Sequence, residues 1–196
     1  MKIKESNITF EFPDENRTIK FDEDTFYTKH FNKMPYSKGV DFISSAKDVL
    51  LFLEVKNCTG DENNNLWRIQ PNNEKLNVSK TTTDVVGRDS LDIEMAQKVA
   101  MTIAAIVGVV SFDDRRGTAE NLLKYKQEIL TDKYAKDKKK WMIVLFLEGD
   151  FESQTRTKKM IMQSLQGSIK AKLSWLNCQV SVVDSSTYNE RYFKIA

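Results

Sequence analysis

The chain has little of what most metal and secretory chemistry requires. Two cysteines, Cys58 and Cys178, stand alone in 196 residues. They supply neither a disulfide framework nor the paired spacing of a zinc site. Both read as reduced thiols, as expected of a cytoplasmic protein. A single histidine, His30, excludes clusters of histidine ligands and argues against a histidine-based hydrolytic site. On its own it reads as a surface or capping residue. Long hydrophobic runs are missing as well. The longest apolar stretch, Val99 to Val110, is broken by Thr102 and Gly108 and is too short for a bilayer. The polar, charged first residues predict no secretory leader. No internal repeat and no low-complexity tail is visible.

What is present describes an ordinary soluble globular protein, with 40% hydrophobic and 30% charged residues. The length predicts one domain, residues 1–196, large enough for a continuous core. The net charge of +2 is unevenly spread. Residues 1–120 carry 16 basic and 20 acidic side chains, whereas residues 121–196 carry 14 and 8. The excess lies in Lys133, Lys136, Lys138, Lys139 and Lys140, and again in Arg156, Lys158, Lys159, Lys170 and Lys172. On charge alone these are solvated faces.

Periodicity places the elements. Ile8–Phe12 and Arg17–Phe21 alternate and flank Pro13-Asp14-Glu15-Asn16, which predicts an N-terminal β-hairpin. Asp24 is placed to cap a short helix carrying Phe26 and Phe31. Two apolar strands follow, around Val40–Ile43 and Val49–Lys56. Residues 57–88 are polar and rich in asparagine, and predict a long insertion. A helix starting at Asp89 or Ser90 is expected to bury Ile93, Ala96, Val99, Ala100, Ile103, Ala104 and Val107. A second helix is expected over about 118–136, with Leu122, Ile129 and Leu130 inward. Trp141–Leu147 reads as a buried strand. A helix over about 153–173 should bury Met160, Ile161, Ser164, Leu165 and Ile169. Gln179–Val183 reads as the last strand. Strand, helix, strand from Trp141 to Val183 implies a right-handed crossover with parallel pairing.

The two apolar strands hold an anomaly. Asp41, Glu54 and Lys56 lie in segments that should be buried, and a buried charge is costly unless it is paired or binds a metal. Side chains alternate along a strand, so Glu54 and Lys56 share a face. A tight turn at Lys47-Asp48 sets Asp41 opposite Glu54, with Cβ atoms roughly 5 Å apart. Two carboxylates that close repel unless a cation lies between them. Oxygen ligands of this kind suit Mg²⁺. The acid-x-Lys triplet by itself is uninformative: with 28 acids and 23 lysines, chance supplies about 3. A second triplet, Asp137-Lys138-Lys139, sits in a solvated charge run. The apolar strand and the acid 13 residues upstream distinguish Glu54-Val55-Lys56.

The run GVDFI…LLFLEVKN resembles the PD-(D/E)xK nuclease superfamily, which includes restriction endonucleases and Holliday-junction resolvases. The resemblance is sharp over residues 38–57 and otherwise rests on element order. It implies an α/β fold with a restriction-endonuclease-like mixed central sheet flanked by helices. It implies a metal-dependent nuclease that hydrolyses phosphodiesters, of DNA more than RNA. Asp41 and Glu54 match the metal-binding acids, Lys56 matches the catalytic lysine, and the Val55 backbone carbonyl matches a further ligand of Mg²⁺ or Mn²⁺. It further implies action as a homodimer, because two strands need two sites. The family's upstream acid has no counterpart between Thr25 and Lys38. Asp22, Glu23 and Asp24 are the nearest acids, with Glu15 and Glu11 further back, and none fits the pattern. No tyrosine follows Gln163 or Gln166 at the spacing of the RecB-type subgroup.

Beside a nuclease motif, Lys138, Lys139, Lys140, Lys158 and Lys159 become candidate phosphate contacts. Trp67 and Arg68 are candidates to stack on or clamp a strand, although Trp67 reads more readily as a pin holding the insertion to the core. The alternative reading is a non-catalytic binding or immunity-type protein on the same fold.

Overall fold

The computed structural model describes residues 1–60, 62–74, 88–113, 115–132, 134–136, 138–153 and 155–196. Lys133 and Asp137 of the sequence reading, and residues 61 and 75–87 of the expected insertion, lie outside the described residues. Of the side chains at 62–64 only the helical backbone is described.

The elements are β1 (Lys2–Glu5), β2 (Ile8–Glu11), β3 (Arg17–Lys20), α1 (Thr25–Lys29), β4 (Phe42–Ser45) and β5 (Val49–Asn57). They continue with α2 (Glu62–Arg68), α3 (Leu91–Gly108), α4 (Glu120–Leu123), α5 (Lys126–Leu130) and β6 (Lys140–Glu148). The last are α6 (Lys158–Lys172), β7 (Cys178–Val183) and β8 (Lys194–Ile195). A five-stranded mixed sheet runs β3-β4-β5-β6-β7. Its first three strands are antiparallel, and β5, β6 and β7 are parallel. A second sheet of three strands runs β1-β2-β8. The protein is therefore α/β, with mixed and antiparallel sheets.

Strand alternation assigns each face of the central sheet. Leu50 and Phe52 of β5 join Ile43, Ile143 and Leu145 in a core covered by α3 and α6. Val49, Leu51, Leu53 and Val55 face the other way, with Phe42, Val144 and Phe146. This back face is covered by the small sheet. There Phe10 packs on Phe42, Phe146 and Phe193 at ring separations of 5.6, 5.3 and 5.4 Å. Aromatic pairs of this geometry add about 1 kcal/mol each beyond area burial. Helices flank the mixed sheet, as the sequence reading expects, and α3 and α6 lie on the face opposite the small sheet. Among the described residues no helix is long and apolar enough to cross a membrane.

Several expected elements differ. An N-terminal hairpin exists, but it joins β1 to β2. Its turn residues Ser6 and Asn7 take positive φ of 51° and 66°, as tight hairpin turns require. β3 pairs with β4 instead, because Phe10 and Phe12 belong to the back cluster while Thr18 bonds Ser44 through hydroxyls 2.7 Å apart. The expected helix over 118–136 is two short helices. It breaks at Tyr125, which is drawn into the core with its hydroxyl donating to the Arg17 carbonyl at 2.8 Å. Leu130 is left exposed. α6 starts at Lys158, so Ile161, Leu165 and Ile169 set its inner stripe and Met160 is 52% exposed. α3 begins just after Ser90, close to the expected start, yet it buries Leu91, Met95, Val99, Thr102 and Ile106 and leaves Ala104 and Val107 outside. The helix is apolar almost all round, so periodicity alone chose the wrong stripe. The 57–88 segment contains α2.

Candidate active site

The site grows from the β4–β5 hairpin. The Ala46 N–H donates to the Val49 carbonyl at 2.9 Å, closing the turn at Lys47-Asp48. Pairing of Phe42 with Leu53 then extends to set Asp41 against Glu54. Both project to the helix side of the sheet, with Lys56 two residues further on the same face. Asp41 is fixed from two directions. Its Oδ2 accepts the Val55 N–H at 2.7 Å, and its carbonyl accepts the Phe21 N–H at 2.8 Å. Gly39 permits that approach. A Cβ there would lie 2.5 Å from the Phe21 ring and 3.2 Å from Tyr27.

Helix α3 closes the cleft from above. Glu94 and Lys98 sit one turn apart and lean toward the sheet. Lys98 Nζ is 2.6 Å from Glu54 Oε1 and 3.8 Å from Asp41 Oδ1. Lys56 Nζ is 2.7 Å from the same Glu54 oxygen and 3.4 Å from Glu94 Oε1. The second Glu54 oxygen, Oε2, is buried and accepts no hydrogen bond. On the far side of Asp41, carboxylate oxygens of Glu5, Asp22 and Asp41 lie within 4.8 Å of one another. Asp22 Oδ1 is also buried without a partner. Lys20 bridges Glu5 at 3.0 Å and Glu23 at 2.5 Å.

The charges respond to this crowding. Burial, then the Glu54 charge, push the Asp41 carboxyl up to about 7 against the pull of Lys98 and Lys56. Burial likewise raises Asp22. For Glu94, burial acts upward but is outweighed by Lys56, Arg68 and Lys98, which hold it at about 2. Burial would lower the Lys56 ammonium, and Glu54, Glu94 and Asp41 overcome it, so Lys56 titrates above its ordinary range. Lys56 is therefore a fixed cation at neutral pH. It can donate hydrogen bonds and stabilise negative charge, but it does not take a proton.

Among the described residues, the three carboxylates that converge closely enough to share a cation are Glu5, Asp22 and Asp41, and Glu54 is not one of that group. Asp41, Glu54 and Asp22 offer carboxylate oxygens, and unpartnered oxygens on Glu54 and Asp22 are what a cation would satisfy. The Val55 carbonyl belongs to the residue whose N–H grips Asp41.

The other candidate residues are dispersed. Arg68 is 2.5 Å from Glu94 Oε2, so it is committed to the rim of the cleft and is no free clamp. Trp67 donates its indole N–H to the Arg88 carbonyl at 2.9 Å, the pinning role. Lys138, Lys139 and Lys140 lie at the start of β6, beside Val49. By strand rise that is roughly 20 Å from Lys56. Lys138 packs 5.1 Å over the Trp141 ring, and Lys139 bonds Ser45 Oγ at 2.6 Å. Neither presents a free ammonium to a phosphate. Lys158 donates to the Gly149 carbonyl at 2.7 Å, and Lys159 is exposed. Asp22, set aside from the sequence as an upstream acid, lies beside Asp41, and Glu94 and Lys98 escaped the sequence reading. The one usable signal was a Glu–Lys pair four residues apart in an otherwise apolar helix.

A family of unknown function, DUF6661, matches residues 24–196. The chain belongs to that family. No curated protein and no solved structure matches it. The DUF6661 span takes in Asp41, Glu54, Lys56, Glu94 and Lys98, while Glu5 and Asp22 lie before it.

Proposed function

We propose that this chain is a Mg²⁺-dependent nuclease of the PD-(D/E)xK type, acting on DNA. The observation that carries the reading is a set of three side chains on one sheet face: Asp41 opposite Glu54, Lys56 2.7 Å from Glu54, and a buried Glu54 oxygen left without a partner. The strand order supports it. An antiparallel β3-β4-β5 meander followed by β6 parallel to β5 is the layout that the resemblance implies. Asp41, Glu54 and the Val55 carbonyl would hold the cation, with Asp22 beside them. When bound, Mg²⁺ supplies positive charge at a phosphate oxygen and acidifies water.

The chain's own residues do the rest. In hydrolysis a water oxygen bonds to phosphorus and the bridging ester oxygen leaves. Lys56, held protonated, orients that water and stabilises the charge that builds on the phosphate. Glu94 and Glu54 fix the lysine from two sides. A homodimer and a cytoplasmic setting belong to the same proposal, since a duplex presents two strands.

The second reading, a non-catalytic binding protein, has one observation in its favour. Lys98 already gives Glu54 and Asp41 an internal cation. The two readings part on one experiment. Plasmid, single-stranded and branched DNA are incubated with the protein in Mg²⁺, Mn²⁺ or EDTA. The nuclease reading predicts cleavage with either metal and none in EDTA. Intact substrates throughout, from a protein that binds DNA, would favour the second.

A further inference from the structure

A second concentration of charge lies away from the cleft, in the half of the chain whose net charge is negative. A cavity of about 630 Å³ opens between α1 with the following turn and the segment after α3. Lys29, His30, Lys33, Arg115 and Arg116 all line it. Its floor is aromatic: His30 and Phe112 pack with ring centroids 4.6 Å apart, and Phe26 backs Phe112 at 5.1 Å. The acid on its wall, Asp113, is spent on Arg115 at 3.0 Å. Among the described residues no carboxylate lies within ion-pair distance of Lys29, Lys33 or Arg116. Like charges gathered in a concave site repel one another and focus a positive potential outward. Among the described residues, Arg115 has Asp113 as its partner, and Lys29, Lys33 and Arg116 converge on the cavity without a carboxylate of their own.

We propose that this cavity is a phosphate-binding site and that its phosphates belong to nucleic acid flanking the bond held at Lys56. The source of the phosphate rests on the nuclease reading; the chemistry of the cavity does not. Geometry favours the strand. α3 runs ten residues from Lys98 to Gly108, about 15 Å of axis, before the chain reaches Phe112. A duplex carries one phosphate per strand about every 3.4 Å of axis, so a strand led from the cleft along that length of α3 would present about four phosphates on the way. An arginine pair beside two lysines suits that task, since guanidinium grips phosphate in two-point fashion.

The test uses the full chain in EDTA, which removes cleavage from the measurement. Lys33 and Arg116 are exposed, so the double variant Lys33→Glu/Arg116→Glu keeps the fold, checked by thermal melting. Duplex DNA affinity is read at several salt concentrations, and pyrophosphate binding by calorimetry. The expected result is a salt slope shallower by about 2 and duplex affinity weaker by about tenfold or more at 0.1 M salt. Wild-type pyrophosphate binding that disappears in the variant, with duplex affinity unchanged, would overturn the strand as the source and leave a small phosphorylated ligand. Unchanged binding of both probes would overturn the site altogether. Mn²⁺ binding measured in both proteins keeps the two readings apart. Its absence sinks the nuclease and not the cavity, and its presence with a silent cavity does the reverse.

Discussion

The two ends of the central sheet each bury a glutamate, and the two burials differ in kind. At the turn end of β4, Glu128 accepts from Arg17 and from Ser45 Oγ at 2.9 Å, with Lys139 at 3.5 Å. At the other end Glu54 is shared by Lys56 and Lys98. Both glutamates leave one oxygen, Oε2, without a partner. An unpartnered oxygen therefore does not by itself mark a site. The surroundings differ: Glu128 is a single acid among cations and hydroxyls, whereas Glu54 has Asp41, Glu94 and, past Asp41, Asp22 and Glu5 around it. At Asp41 burial and the Glu54 charge outweigh Lys98 and Lys56, so removing that carboxylate's charge relieves an unfavourable burial and repulsion. Folding tolerates such an arrangement when function needs it.

The sharpest break in the comparison is catalytic. Lys56→Ala should lower DNA cleavage by about 10²-fold or more, mainly in kcat, with the far-ultraviolet spectrum unchanged. Lys139→Ala, which removes a lysine 3.5 Å from its glutamate, should cut at the wild-type rate per folded molecule. Equal losses in the two variants would erase the distinction between the ends.

Acid titration separates the cleft acids from one another. Glu94 sits at about 2 in the folded protein, below its unfolded value. Its stabilisation is present above about pH 4.5 and is lost as pH falls from there toward 2. Denaturant melts across that window should show a loss on the order of 3 kcal/mol that is absent in Glu94→Gln. Parallel acid limbs in the two proteins would refute the assignment.

Neutralising a carboxylate should have opposite signs at the two ends. Glu128→Gln, losing charged hydrogen bonds from Arg17 and Ser45, should cost about 2 kcal/mol by denaturant melt. Asp41→Asn, at neutral pH without metal, should gain about 1 kcal/mol, since the amide oxygen still accepts the Val55 N–H and the repulsion with Glu54 is gone. A destabilised Asp41→Asn would class the cleft with the turn end.

Much of this was legible in the chain because it is local. The Lys47-Asp48 turn fixes the hairpin register, and the register sets Asp41 against Glu54. Asp24 and Ser90 announced the starts of α1 and α3. The remainder depends on which partner an element chooses. Asp22 reaches Asp41 because β3 pairs with β4, a choice made by the aromatic back cluster that claims Phe10 and Phe12. Glu94 and Lys98 face the cleft because α3 settles on one of two nearly equal apolar stripes, and only the sheet beneath decides between them. The closing strand Lys194–Ile195 is two residues long, too short to leave a pattern.

The central claim is that Asp41 and Glu54 hold a divalent cation. Titrating Mn²⁺ into the protein at neutral pH, by calorimetry, tests it most directly, with Glu54→Gln as the paired sample and circular dichroism confirming its fold. The account predicts one saturable site in the wild type and its loss in the variant. No binding in the wild type, or the same isotherm in both, would mean that Lys56 and Lys98 are the cations these carboxylates serve.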